Sequence, residues 1–132
     1  MLKSILAVVV ALITWFLVAT ILNLLLRILL PGYTTAEVTF GFTLPMMVCR
    51  LVLGLVASLI AGFVCARITD RSIAAKITAG IMVALFIPGH YMLWDKFPVW
   101  YHLFFLVTLA PTLLLGAALV SRPLVARVSG QA

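Results

Sequence analysis

The stretch SILAVVVALITWFLVATILNLLL, Ser4–Leu26, decides the fold of this chain. Its 23 residues carry no formal charge and lie between Lys3 and Arg27. A helix of about 20 apolar residues crosses the hydrocarbon core of a bilayer. The stretch is longer than the apolar part of a typical signal peptide, and no clear small-residue cleavage site follows it. We therefore predict a membrane-spanning helix that is retained rather than cleaved.

The composition of the whole chain agrees with this first segment. The chain has 132 residues, of which 66% are hydrophobic and only 9% are charged, whereas a soluble domain carries about 25% charged residues. Its apolar surface exceeds what a water-facing fold can bury, and lipid is its natural solvent. The apolar runs are continuous and do not alternate with polar residues, which argues against a β-barrel. The sequence predicts an all-α membrane protein.

Apolar segments account for nearly the whole length, and little chain remains for a soluble domain. We predict a single integral membrane domain, 1–132, in which four transmembrane helices form an antiparallel bundle with both termini on the same side. A short tail, 122–132, follows the last helix. The predicted helices cover approximately residues 4–30, 45–67, 71–92 and 98–121.

The connection after the first helix is predicted to be a loop. Pro31 and Gly32 end the helix, because proline cannot continue it and glycine suits the turn that follows. The segment Tyr33–Thr43 is rich in β-branched and aromatic residues, and we expect it to lie on the membrane surface. Pro45 then occupies the first turn of the second helix, where proline is favoured.

The distribution of basic residues predicts the orientation. The side that holds both termini carries six basic residues and the opposite side carries three. Cytoplasmic loops are enriched in Lys and Arg, so we expect both termini in the cytoplasm and the protein in the cell membrane. This sidedness accounts for the net charge of +6 without a nucleic-acid partner. The six are Lys3, Arg67, Arg71, Lys76, Arg122 and Arg127, and the three are Arg27, Arg50 and Lys96.

Two arginines of the outward-facing half are the main candidates for a site. Arg50 lies a few residues inside the second helix, where a charge is costly unless it is paired or reaches the interface. Arg27 lies near the end of the first helix and shares one helix face with Asn23 and Thr20. Polar residues in a membrane helix usually face protein rather than lipid. We therefore expect this face to point into the bundle.

The acidic residues of the same half, Glu37 and Asp95, are the candidate counter-charges. We expect Arg27 and Arg50 to point toward a common outer crevice, since pairing with a carboxylate would relieve the cost of desolvation. Two arginines there would suit a phosphate or carboxylate group, and lipid headgroups are the nearest source. The alternative is that each arginine reaches the headgroups on its own.

The segment GHYMLWDKFPVWYH, Gly89–His102, connects the third and fourth helices and contains both histidines. Trp and Tyr concentrate at the level of the headgroups, so this composition is typical of a membrane interface. His90 and His102 are candidates for a haem or metal site, because imidazole is the commonest metal ligand. No further His or Cys completes a zinc site there. We expect ordinary hydrogen bonds and no cofactor.

Small residues predict close contacts between helices. Gly54, Ser58 and Gly62 recur at every fourth position of the second helix, and this spacing allows helix backbones to approach each other. Gly80 belongs to a similar series in the third helix. Since consecutive helices are usually neighbours, we expect the two series to pack against each other within the chain, with packing across a homo-oligomer as the alternative. The second series is Lys76, Gly80, Ala84 and Pro88.

Motifs that would indicate catalysis are missing from the sequence. It contains no GxSxG, no HExxH, no Walker loop, no glycine-rich dinucleotide turn and no CxxC. The three acids, Glu37, Asp70 and Asp95, all fall in predicted connections, which argues against a proton-coupled carrier built on a buried carboxylate. The sequence therefore favours a protein that is not an enzyme.

Three hypotheses about function remain. The favoured one is a small membrane protein that acts by association with lipids, with another membrane protein or with further copies of itself. The second is a small oligomeric channel or carrier for an anionic solute, which would use Arg27 and Arg50. The third is a haem or metal membrane enzyme that would use His90 and His102.

Overall fold

Helices make up nearly all of the part of the chain that the structure describes. This structure is a computed structural model, and it describes residues 1–121, so the predicted tail 122–132 lies outside the described residues. The four longer helices are each long and apolar enough to cross a membrane. The predicted membrane bundle of four helices is therefore confirmed. The helices are α1 Leu2–Leu29, α2 Tyr33–Thr39, α3 Leu44–Ile68, α4 Ser72–Met92 and α5 Val99–Ser121.

The segment after α1 is helical, so the loop predicted over Tyr33–Thr43 is wrong for its first seven residues. Gly32 adopts a left-handed conformation with φ +78°, which turns the chain and which glycine adopts without strain. Tyr33 and Ala36 then share one face of α2, and both are buried. Their burial outweighs the low helix propensity of the β-branched residues around them. The result is a short helix packed on the ends of α1 and α3.

The four long helices form a ring in the order α1, α3, α5, α4. Helix α3 packs most extensively against α5 and α1, whereas α3 and α4 touch little. The predicted packing of the α3 small-residue series against the α4 series is therefore wrong. In this ring α2 and the turn 93–98 lie at one end, here named the α2 end. The opposite end, here named the terminal end, holds Met1 and the turn 69–71.

Two glycines explain why α3 selects α5 as its main neighbour. A Cβ atom added to Gly62 would overlap the backbone carbonyl of Leu113, and one added to Gly116 would overlap the backbone carbonyl of Leu59. The two backbones therefore touch at both positions, which side chains of any size would prevent. Gly54 also faces α5, because its Cβ would lie 2.9 Å from Cε2 of Phe105.

Gly80 takes no part in this packing, contrary to the sequence prediction. No atom lies within 4 Å of a Cβ added there, and Gly80 is exposed together with the other members of its series, Lys76, Ala84 and Pro88. The inner face of α4 is formed by other residues. They are Ala74, Ala75, Thr78, Ala79 and Met82.

Ser58 contributes a hydrogen bond as well as a small volume. Its hydroxyl accepts from Nε1 of the buried Trp15 over 3.0 Å and donates to the carbonyl of Gly54 over 2.7 Å. A buried indole N–H without an acceptor would cost about 1–3 kcal/mol. This pair therefore fixes the side chain of Trp15 in the middle of the bundle, between α1 and α3.

Candidate binding site at the α2 end

Arg27 forms an ion pair with Glu37 at the α2 end. The guanidinium donates from Nε and from Nη2 to Oε2 of Glu37, both over 2.9 Å. The side chains are 45% and 18% exposed respectively, so water screens the attraction in part. The pair neutralises Arg27 and ties α2 to the last turn of α1.

Asn23 and Tyr33 extend this pair into the bundle. Asn23 donates from Nδ2 to Oε1 of Glu37 over 2.8 Å, and its Oδ1 accepts from the Tyr33 hydroxyl over 2.7 Å. Burial raises the pKa of the Tyr33 hydroxyl, and the neighbouring charge of Arg50 offsets only part of that rise. Tyr33 is therefore protonated at neutral pH, as its donation to Asn23 requires.

Arg50 is held by aromatic residues. Its Nη1 donates to the Tyr33 hydroxyl over 2.8 Å, and its Nε donates to the Tyr101 hydroxyl over 3.2 Å. The guanidinium carbon lies 4.9 Å from the centroid of the Phe42 ring, within the range of a cation–π contact. Three elements, α2, α5 and the segment before α3, therefore converge on one partly buried arginine.

The two arginines belong to one hydrogen-bond network, which we call the arginine network: Arg27, Glu37, Asn23, Tyr33, Arg50 and Tyr101. Only one carboxylate takes part, and it is engaged by Arg27 and Asn23. Within residues 1–121 Arg50 makes no ion pair. The network therefore has two cations, one anion and a charge of +1.

One terminal nitrogen of Arg50 remains open. Nη1 and Nε each have a phenol acceptor, whereas Nη2 makes no hydrogen bond within residues 1–121. Among these residues every fully buried side-chain nitrogen or oxygen has a hydrogen-bond partner. Nη2 is therefore not sealed inside the protein, and it can donate to a molecule from outside.

His90 and His102 lie beside the arginine network and contact each other. Their Nδ1 atoms are 2.7 Å apart, and Nε2 of the fully buried His102 lies 3.3 Å from the carbonyl oxygen of Trp94. The Trp94 ring stacks on His102 at a centroid distance of 4.9 Å. Three of the four imidazole nitrogens are thus engaged within the protein, so the pair offers only Nε2 of His90 to any further partner.

The remaining sequence candidates lie at the edge of the site. Asp95 and Lys96 are exposed in the turn between α4 and α5, and Asp95 makes no ion pair within residues 1–121. The Thr20 hydroxyl donates to the carbonyl of Phe16 over 2.7 Å. Thr20, Asn23 and Arg27 together line an open groove of about 350 Å³ whose other walls are apolar. Its apolar walls are Phe16, Ala19, Leu24 and Leu53.

Sequence reasoning missed the aromatic half of this site. Tyr33, Phe42 and Tyr101 hold Arg50, yet all three looked like ordinary residues of a membrane interface. One signal was available: an arginine inside an apolar helix needs acceptors, and the segments at the α2 end contain three tyrosines, Tyr33, Tyr91 and Tyr101, but only two acidic residues, Glu37 and Asp95. Within the described chain no group of three His, Cys, Asp or Glu is placed to hold a metal ion.

The fold and the arginine network define a bundle of four helices that are long and apolar enough to cross a membrane, with a positively charged polar site at one end. Comparison of the chain with models of protein families, with curated proteins and with solved structures finds no match.

Proposed function

We propose that this protein acts by association in the membrane, and that its α2 end binds a lipid with an anionic headgroup. The single observation that carries this proposal is Arg50. Its charge lies partly buried without a carboxylate partner among residues 1–121, and its Nη2 is open. A phosphate oxygen would complete the guanidinium, because arginine and phosphate form strong charge-assisted hydrogen bonds.

The surroundings of the network favour a lipid over a free anion. The groove beside Asn23 and Arg27 has apolar walls and continues from the polar residues toward the middle of α1. A headgroup at the polar end of this groove, beside Asn23 and Arg27, would therefore leave its acyl chains next to Phe16, Leu24 and Leu53. Tyr and Trp side chains at the same end suit the headgroup level of a bilayer.

The orientation belongs to the same proposal. The terminal end carries Lys3, Arg67, Arg71 and Lys76 against Asp70, and this bias supports cytoplasmic termini in the cell membrane. The α2 end then faces the outside, and the ligand is a lipid of the outer leaflet.

A channel or carrier for anions has less support from the geometry. The backbones of α3 and α5 touch at Gly62 and Gly116, and the polar groups at the middle of the bundle, Trp15 and Ser58, bond to each other. The single chain is therefore packed tightly along α3 and α5 at the depth where a polar path would be needed.

The test is native mass spectrometry of the purified protein with equal amounts of phosphatidylcholine and phosphatidylglycerol. We expect retention of the anionic lipid, and we expect Arg50→Gln to weaken it about tenfold, since a hydrogen bond to a charged group contributes about 1.5 kcal/mol or more. Lys96→Gln removes one positive charge from the same end and is the matched control. Arg50→Lys keeps the positive charge but removes the guanidinium group, and this variant should bind the anionic lipid with intermediate affinity.

The outcomes distinguish a lipid headgroup from a free anion as the ligand. Displacement of the lipid by millimolar inorganic phosphate would assign the site to a free anion and overturn the lipid proposal. Equal lipid retention by Arg50→Gln and Lys96→Gln would overturn the role of Arg50. Thermal unfolding of each variant in detergent shows that the compared proteins are folded.

A further inference from the structure

The hydrogen bonds of the two histidines determine which nitrogen carries each proton. The Trp94 carbonyl can only accept, so Nε2 of His102 must be the protonated nitrogen of that ring. In neutral His102 the other nitrogen, Nδ1, is then an acceptor. His90 must therefore donate from its own Nδ1 across the 2.7 Å contact. This assignment leaves Nε2 of neutral His90 without a proton.

The free nitrogen of His90 is accessible. Nε2 makes no hydrogen bond within residues 1–121, and among these residues no fully buried side-chain nitrogen lacks a partner. The His90 ring is partly exposed. His90 therefore presents a lone pair at the surface of the α2 end, where a ligand can donate a hydrogen bond to it.

Tyr101 connects this lone pair to the arginine network. Its hydroxyl accepts from Arg50, and its ring lies 6.2 Å from the ring of His90, centroid to centroid. The two side chains that carry these open groups, Arg50 with its donor Nη2 and His90 with its acceptor Nε2, thus both neighbour Tyr101. The two groups differ in what they require: Arg50 requires an anionic oxygen, and neutral His90 requires a hydroxyl or N–H group.

We propose that the α2 end recognises a phosphomonoester headgroup, with a P–O⁻ oxygen on Arg50 and the P–OH group donating to Nε2 of His90. This inference rests on the proposed lipid-binding function and specifies the class of headgroup. A phosphodiester without a hydroxyl or N–H group in its headgroup offers the same anionic oxygens but no P–OH group, so it satisfies Arg50 and leaves His90 without a donor. No covalent bond forms or breaks, and the single proton stays between the phosphate and the imidazole.

The groups around His90 are compatible with this role. From α5 it faces His102 and Tyr101, and Phe105 with a ring centroid 4.7 Å away. From α3 Arg50 donates to the hydroxyl of that Tyr101, and on its own helix the Phe86 ring lies 6.4 Å away, centroid to centroid, at a tilted angle. No carboxylate within residues 1–121 pairs with His90. The positive charge of Arg50 disfavours a second positive charge nearby, and the proposed complex uses the neutral imidazole of His90 as the acceptor.

The test compares two lipids of similar charge in nanodiscs at about pH 5.5, where a phosphomonoester still carries a P–OH group because its second pKa is about 6. Phosphatidic acid is the monoester and phosphatidylmethanol is the diester. We expect the protein to bind phosphatidic acid about tenfold more tightly, which corresponds to one added hydrogen bond of about 1.4 kcal/mol.

Two variants of His90 make the test specific. His90→Asn places an amide N–H near the position of Nδ1, so it keeps the donation to His102 but lacks Nε2, and we expect the preference to vanish. His90→Gln places its amide near the position of Nε2 and should restore part of the preference. Tyr91→Phe changes the exposed neighbouring residue and should leave the preference intact.

The failure of this inference is distinguishable from the failure of the proposed function. Equal binding of both lipids by the unsubstituted protein, or an unchanged preference in His90→Asn, overturns the phosphomonoester proposal. If both lipids still depend on Arg50, lipid binding itself stands. If neither lipid responds to Arg50→Gln, both proposals fail.

Discussion

Arg50 donates a hydrogen bond to the hydroxyl of Tyr33 over 2.8 Å, and this contact joins α3 to a short helix that hydropathy does not reveal. Through it the charge of Arg50 becomes part of one network with Arg27. The network has one more cation than anion, and that imbalance is the basis of the proposed lipid binding.

The Glu37 carboxylate joins α2 to α1, and its loss should reduce stability. Glu37→Gln leaves Arg27 without a counter-charge and weakens the bond to Asn23. Because both charges are partly exposed, we expect a loss of only about 1–2 kcal/mol in the free energy of unfolding. Thermal unfolding in detergent measures the loss. Asp95→Asn, at an exposed acid without an ion pair in the described chain, is the control and should change stability by less than about 0.5 kcal/mol.

Tyr33 predicts a dependence of stability on alkaline pH. Its pKa is raised above the ordinary value of 10.0, mainly by burial, so the folded protein prefers the protonated phenol. This contribution to stability is fully present below about pH 10. It is lost as the pH rises through the higher folded-state pKa.

Tyr33→Phe removes that titration. We expect the unsubstituted protein to lose more stability than Tyr33→Phe between about pH 10 and pH 12, as measured by thermal unfolding. Parallel losses in the two proteins would show that Tyr33 is not the group whose pKa is raised. Tyr91→Phe, at an exposed tyrosine, should behave like the unsubstituted protein.

Contact between the backbones of α3 and α5 predicts a contrast between glycines. Gly62→Ala and Gly116→Ala force a methyl group into a facing carbonyl, and we expect each to destabilise the bundle by about 1–3 kcal/mol or more. Gly80→Ala adds a methyl group to open space and gains helix propensity, so it should be neutral or stabilising by about 0.5–1 kcal/mol. A larger loss at Gly80 than at Gly62 in detergent unfolding would contradict the arrangement of α3 against α5.

Charge bias predicts the orientation in the cell membrane. Reporter fusions after Ala132 and within the turn at Asp95 should give opposite signals, with the C-terminus in the cytoplasm. Reversing the charges at Arg67 and Arg71 to Glu should weaken or invert this orientation, whereas Lys96→Gln should reinforce it. An outward C-terminus in the unsubstituted protein would contradict the outer-leaflet site.

The helices could be predicted from sequence because hydropathy depends on each segment alone. The run Ser4–Leu26 is apolar enough to form a helix in the hydrocarbon core of a membrane. The observed long helices begin and end within two residues of the predicted segments. Helix α2 could not be found in this way. It exists because Tyr33 and Ala36 are buried against other helices, and a local pattern of β-branched residues does not contain that information.

The choice of neighbouring helices and the partners of Arg50 were also missed from sequence, because both depend on contacts between residues far apart in the chain. The α3 series of small residues is visible in the sequence, but the choice of α5 depends on Gly116, which meets Leu59 only in the folded chain. Arg27, Asn23 and Glu37 could be selected as polar residues in or beside an apolar helix. The number of tyrosines could indicate that phenols serve Arg50, but it could not single out Tyr33 and Tyr101, because a tyrosine near a headgroup needs no buried partner.

The most direct test of the central claim is the distance between the Arg50 guanidinium and a lipid phosphorus atom. Solid-state NMR with ¹⁵N-labelled arginine and natural ³¹P, in bilayers that contain phosphatidic acid, measures this distance, and Arg50→Lys identifies the signal that belongs to Arg50. The account predicts a phosphorus atom within about 4 Å of one terminal nitrogen, as expected for a direct hydrogen bond to phosphate. Arg50 signals without any coupling to phosphorus, while the same bilayers show it for other arginines, would contradict the account.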